Sequence, residues 1–334
     1  MRAPGDAGPA AESRPARPAG RWEAAALLLI ALLAAALRLY RLPEVPPGLH
    51  YDEAFNGVSA RSLLEDGTPR IFFADDMGEE PLAISLVAVA LALLGEEAWI
   101  IRLVSAVAGI LTVPLAWWLG RGIFCRALPA LATALVLALL YWHVTFSRIG
   151  MEPIFVPLTA TLAFAALLHG LRDAGARPGR RQLPALLLAG LALGGSLYTY
   201  KAGYFVPVLA AAFVAYAALL ERGFLRRNGR GLLLAAAVAL LVAAPLLAYF
   251  AAHPDHFLQR PASVALSTAP QDALPAMVSN LPEVLGMFFV RGDANPRSNL
   301  PGRPILDPFL ALLFVAGLAR AVARFRQPRE MLPV

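Results

Sequence analysis

"PLAISLVAVALALL", residues 81–94, is the stretch on which the topology of this chain turns. Its 14 residues make about 21 Å of helix at 1.5 Å per residue. A bilayer core is about 30 Å thick, so the run is short for a span. Longer apolar runs occur at 22–40, 99–120, 128–146, 153–170, 183–200, 203–220, 231–250 and 305–320. Counting 81–94 as a ninth span would flip every later loop. Left as an interfacial or re-entrant helix, the loops sort by charge. The tail with Arg14, Arg17 and Arg21 falls on one side, together with "GRGIFCR", "LRDAGARPGRRQ", "ERGFLRRNGR" and "ARAVARFRQPRE". These loops are basic, as cytoplasmic loops are. The opposite side receives 41–98, "FSRIGMEP", "YTYKAGY" and 251–304. The 41–98 loop is acidic, with Asp52, Glu53, Glu65, Asp66, Asp75, Asp76, Glu79, Glu80, Glu96 and Glu97. The expectation is an all-α polytopic membrane protein of about eight transmembrane helices, multi-pass in the cell membrane with both termini cytoplasmic.

Composition leads to the same class. Of the 334 residues 58% are hydrophobic and only 16% charged, against about 25% in soluble domains. That much apolar surface has to meet lipid or other membrane helices. The net charge of +6 follows from arginine-rich cytoplasmic loops and does not call for nucleic acid. Lys201 is the only lysine and Cys125 the only cysteine, which excludes an intramolecular disulfide and a cysteine metal cluster. Residues 1–20, rich in Pro, Ala and Gly, read as a disordered cytoplasmic tail, and 21–334 as the membrane domain. The first apolar run has no small-residue cleavage site and reads as a retained signal anchor.

Working outward from 81–94, the polar groups on the outer side stand out. "GLHYDEAFNG" (48–57) carries Asp52 and Glu53 just past the first span. Ala54, Phe55, Val58 and Leu63 recur at roughly helical spacing, which predicts a short amphipathic helix over 53–64 with Asp52 as its N-cap. Arg148 and Glu152 stand four apart in "FSRIGMEP", the spacing of a helix-end ion pair. Tyr198, Tyr200 and Lys201 lie in "YTYKAGY", His253 and His256 in "HPDHF", and Asn299 in "RGDANPRSNLPGRPILD". Each has a bland reading: cap, solvated acidic loop, aromatic belt, snorkelling lysine, turn-rich loop. Gathered on one face, they read as a site, because ionisable groups at membrane depth need a partner or a function. No P-loop, dinucleotide fingerprint, HExxH or GxSxG is present. A carboxylate beside a membrane entrance suits a general base acting on an acceptor hydroxyl. Arg148 and Lys201 suit a leaving phosphate. A carboxylate pair also suits a divalent cation.

An ordered series of motifs then resembles the GT-C glycosyltransferases, specifically the protein-mannosyltransferase and aminoarabinose-transferase-like group. The series is "HYDEAFN", "EEPL", "RLVSAVAGILTVPLAWWLGRGIF", "FSRIGMEP", "SLYTYKAGYFVP" and "GDANPRSNLPGRPILD". The resemblance implies a GT-C-like fold with juxtamembrane helices in the first outer loop. It implies transfer of a sugar from a polyprenyl-phosphate donor to a lipid, glycan or protein acceptor on the outer face, by inverting single displacement. Asp52, next to Glu53, would be the catalytic base. Glu80 and Glu152 would serve the acceptor or a divalent cation (Mg, Mn or Zn), and Arg148, Tyr198, Tyr200, Lys201 and Asn299 would bind substrate. The chain departs from close relatives at Glu79, where they often carry a basic residue, and at Tyr204, where they often carry arginine. A lipid or anionic-solute transporter and a catalytically inactive relative are the alternatives.

Overall fold

The computed structural model describes residues 20–75, 78–171, 182–257, 273–296 and 298–325. The tail expected at 1–20 lies outside the described residues save for Gly20. So do Asp76, Arg297, most of "LRDAGARPGRRQ" (172–181), part of the 251–304 loop (258–272) and residues 326–334.

Twelve α-helices are described: α1 (Arg21–Leu39), α2 (Tyr51–Asp66), α3 (Pro81–Leu94), α4 (Ala98–Phe124), α5 (Ala127–Leu139), α6 (Tyr141–Arg148), α7 (Phe155–Leu171), α8 (Leu183–Gly195), α9 (Phe205–Leu220), α10 (Phe224–Ala252), α11 (Ala273–Phe289) and α12 (Pro308–Ala323). The one extended pairing among the described residues is an isolated bridge, Phe73 with Glu79.

Five helical segments are long and apolar enough to cross a bilayer: Arg21–Leu39, Ala98–Phe124, Glu152–Leu171, Lys201–Leu220 and Phe224–Ala252. α5 and α6 make a sixth if taken together, with a bend of 54° between them. The two remaining expected spans, 183–200 and 305–320, are the shorter apolar helices Leu183–Tyr198 and Pro308–Ala323. The bend has an identifiable cause. The guanidinium of Arg38, fully buried, donates to Ala138 O (3.1 Å), Leu137 O (3.4 Å) and Ser147 Oγ (3.2 Å) and meets His143 Nδ1 at 2.8 Å. It takes up carbonyls that the broken helix leaves unpaired, which is how a side chain stabilises a kink.

Small residues bring the spans together. Gly190 and Gly194 lie one turn apart on α8. A Cβ on either would sit 2.5 Å from a backbone oxygen of α10, Ala235 O or Ala239 O. This is the small-xxx-small contact by which membrane helices approach closely without a hydrophobic driving force between them. Leu167, Leu186, Leu193, Val206 and Phe224 complete that core. Large apolar side chains such as Leu233, Leu240 and Leu241 point outward from α10.

Within the 41–98 region, α2 and α3 pack against each other as a helical hairpin. α2 ends at Gly67 in the left-handed region (φ 64°). α3 buries Ile84, Val87 and Leu91 with Ile100 and Ile101 of α4. Two expectations about α2 are corrected. The helix begins at Tyr51 and its N-cap is His50; Asp52 sits inside the first turn. Its buried stripe is Glu53, Asn56 and Ala60, while Val58 is exposed. The apolar spacing misled because the face turned inward is a polar one.

Candidate functional site

That polar face assembles the first part of the site. Glu53, buried, accepts four hydrogen bonds. Arg102 Nε (2.8 Å) and Gly150 N (2.9 Å) donate to Oε1, and His50 N (2.9 Å) and Arg102 Nη2 (3.2 Å) to Oε2. Arg102 also donates to Pro46 O (2.6 Å) and Gly48 O. One ion pair thus ties α2, the 46–48 turn, α4 and the 149–152 strap together. Burial alone would raise the Glu53 carboxyl pKa. The hydrogen bonds from Arg102, His50 and Gly150 and the Arg102 charge outweigh it and hold it below the ordinary value. Asn56, one turn on, donates from Nδ2 to Gly150 O (3.1 Å) and Glu152 Oε2 (3.4 Å). Asp52, one turn before Asn56 on that side of α2, retains 20% side-chain exposure, with Oδ2 3.7 Å from His50 Nδ1.

Arg148 is placed differently from expectation. α6 ends at Arg148 and the backbone turns extended at Ile149, so the i, i+4 geometry with Glu152 is lost. Its guanidinium donates instead to Leu37 O, Arg38 O, Tyr40 O and Val45 O at 2.8–3.0 Å. These are carbonyls at and beyond the C-terminal end of α1, where a cation is favourable.

A second node surrounds Glu80, also buried. Its Oε1 accepts from Tyr204 OH (2.7 Å) and lies 3.0 Å from Lys201 Nζ. The ammonium is at contact distance but out of hydrogen-bonding line, and Glu80 Oε2 is buried without a hydrogen-bond partner. Aromatic rings wall the ammonium: Phe72 at 4.8 Å, Tyr204 at 5.6 Å and Phe250 at 5.7 Å. Tyr249, His253, His256 and Phe257 extend the aromatic layer.

The remaining candidates make contacts of their own. Tyr198 OH donates to Val242 O (2.8 Å), joining the end of α8 to α10. Tyr200, half-buried, precedes the 3-10 turn Lys201–Tyr204. Asn299 Nδ2 donates to Asp293 O (2.7 Å) and Arg303 O (2.9 Å), folding its own loop. That loop docks on α6, where Leu300 N donates to Tyr141 OH (2.7 Å) and Arg303 covers the Tyr141 ring.

The two carboxylates expected to serve a divalent cation, Glu80 and Glu152, are both buried. No group of three or more His, Cys, Asp or Glu converges among the described residues. Glu80 already faces a cation, which opposes a second. The sequence reading missed Arg102, Asn56, Phe72 and Phe250. Arg102 had a signal: a lone arginine within "WIIRLVSAV" has to find a partner at membrane depth.

Comparisons with known proteins follow the same lines. The profile of the dolichyl-phosphate-mannose-protein mannosyltransferase family matches residues 79–249, just over half of the chain. Among solved structures, the S. cerevisiae protein O-mannosyltransferase Pmt1–Pmt2 complex bound to the sugar donor is 21% identical with a TM-score of 0.54, covering 75% of this chain and 36% of that one. ArnT from Cupriavidus metallidurans bound to undecaprenyl phosphate is 16% identical with a TM-score of 0.54, covering 94% and 56%. The Archaeoglobus fulgidus oligosaccharyltransferase in complex with Zn and sulfate is 17% identical with a TM-score of 0.56, covering 92% and 41%. These likenesses establish the GT-C fold. The chain spans between about a third and just over half the length of these structures. No curated protein matches it.

Proposed function

This chain belongs to the dolichyl-phosphate-mannose-protein mannosyltransferase family, and from that premise we propose that it is a membrane glycosyltransferase. It transfers a sugar from a polyprenyl-phosphate donor to an acceptor hydroxyl on the outer face. The observation that carries the reading is the division of labour at Asp52–Glu53. Glu53 is bound on both oxygens by Arg102 and two backbone amides. The clasp presents the neighbouring Asp52, part-exposed, on the first turn of α2.

Asp52 takes the acceptor proton as general base. The freed oxygen attacks the anomeric carbon while its bond to the phosphate oxygen breaks, and polyprenyl phosphate leaves with the bonding electron pair. One displacement inverts the anomeric configuration. Glu53 and Arg148 act as positioning residues. Lys201 is the phosphate partner, since its ammonium is out of line with Glu80 and keeps donors for a phosphate. The similar proteins solved with undecaprenyl phosphate and with the sugar donor support this donor class.

The test is incubation of purified protein with radiolabelled polyprenyl-phosphate hexose and a lipid extract, wild type beside Asp52→Asn. Transfer by the wild type that is lost in the variant supports the reading. No turnover by the wild type over several sugars identifies an inactive relative or a transporter.

A further inference from the structure

α10 changes character along a single outer face. Arg226, Arg230, Leu233, Leu240 and Leu241 fall on one arc of about 100° at 3.6 residues per turn, and all are exposed. The opposite arc carries Phe224, Asn228, Gly231 and Ala235, all buried. That arc anchors the helix to the bundle. A Cβ on Gly231 would sit 2.8 Å from Leu186 Cδ1 of α8, and Gly190 of α8 abuts the Ala235 backbone. The arginines therefore point away from the protein. Arg227, off their arc, pairs with Glu221. Arg226 and Arg230 make no hydrogen bond or ion pair among the described residues, and Arg222 stands exposed just before the helix. From Leu233 to Leu241 the same face is apolar over about 12 Å of helix, with Leu233 exposed by 72% and Leu241 by 75%.

Unpaired guanidiniums at one end of a face and leucines along the rest of it fit an anion joined to an apolar chain. We infer that this face of α10 binds an anionic phospholipid, its phosphate held between Arg226 and Arg230 and one acyl chain lying along Leu233, Leu240 and Leu241. The two arginines are four residues apart, so their side chains are neighbours on the helix surface. A guanidinium forks onto phosphate oxygens with two parallel hydrogen bonds. The apolar run from Leu233 to Leu241 is close to the depth of one leaflet, half of a hydrocarbon core of about 30 Å. A soluble phosphate would use the arginines and leave the leucines. A parallel α10 of a second copy would set arginine against arginine, which is repulsive. The lipid is distinct from the sugar donor of the proposed reaction. Arg230 and Phe250 stand about 30 Å apart along α10, and the aromatic wall around Lys201 is at the Phe250 end. The inference is independent of that reaction.

The test is native mass spectrometry of the full chain, released from detergent micelles that hold equimolar phosphatidylglycerol and phosphatidylethanolamine with the same acyl chains. The wild type should retain phosphatidylglycerol several-fold over phosphatidylethanolamine. Arg226→Gln combined with Arg230→Gln should bring that ratio close to unity. Arg21→Gln combined with Arg126→Gln removes the same charge from exposed positions elsewhere and should leave the ratio high. No preference in the wild type, a ratio that neither double variant lowers, or one that both lower equally overturns the inference. Since Arg226 and Arg230 make no internal bond, their double variant should keep the wild-type thermal midpoint in detergent. A fallen midpoint makes the arginines structural and overturns it. Glycerol phosphate, the anion without the chains, should not displace the lipid; displacement means a simple anion site and overturns it. A dimer that disappears in the Arg226→Gln, Arg230→Gln variant means that a second copy covers the face, and overturns it too.

Discussion

Glu53 and Glu80, two of the buried glutamates, stand in opposite states of completion. Glu53 is closed: both oxygens are bonded, its arginine partner is fully engaged, and four chain segments meet on it. Glu80 is open: one oxygen is bonded, the other is not, and its ammonium neighbour is out of line inside an aromatic wall. A saturated ion pair has nothing left for a ligand and acts as scaffold. An incomplete one at low dielectric is costly unless something completes it. Under the proposed reaction, the contrast assigns Glu53 to positioning and the Glu80–Lys201 node to binding.

The largest expected effect tests what the closed clasp serves. Asp52→Asn should lower transfer by about 10²–10⁴-fold, the range for a general base, with an unchanged thermal midpoint. Full activity in that variant would detach the clasp from catalysis. Next, Arg102→Met should destabilise the protein by about 3–5 kcal/mol, because it strands a buried carboxylate. Adding Glu53→Gln should recover part of that loss in a denaturation experiment. If the double variant is no better than the single, the pair is not coupled as drawn.

At the open node, Lys201→Met should raise the KM for a polyprenyl-phosphate sugar by about tenfold or more, the value of a charge-assisted hydrogen bond. The thermal midpoint should move far less than for Arg102→Met. A fallen midpoint with unaltered KM would make the two nodes alike. The smallest effect is on pH. Glu53 has a folded pKa below its unfolded one, so its stabilisation is fully present above about pH 4.3 and declines as pH falls through the lower folded value. Thermal midpoints between pH 5 and pH 3 should show this limb in the wild type and lose it in Glu53→Gln.

Much of the architecture was legible from residue order. The 14-residue 81–94 run read as a separate short helix, and it forms one arm of a hairpin with α2. The family motifs pointed to the right fold. Within the site, legibility stopped at orientation. Asp52 and Glu53 are adjacent, so they point about 100° apart on a helix, and nothing local says which of them faces α4. Arg148 and Glu152 looked like a helical ion pair until the helix broke at Ile149. Tyr204 appeared only as a departure from relatives, yet it holds Glu80.

Composition and hydropathy by themselves determined a polytopic all-helical membrane protein. These are sums over local sequence, and the bilayer reads them directly. The tertiary structure alone decided that Glu53 is scaffold, that Arg148 caps α1 and that Lys201 faces Glu80. Those outcomes depend on partners far away in the chain, 49 residues for Glu53 with Arg102 and 124 for Glu80 with Tyr204. Periodicity tells which residues share a helix face; only packing tells which face turns inward.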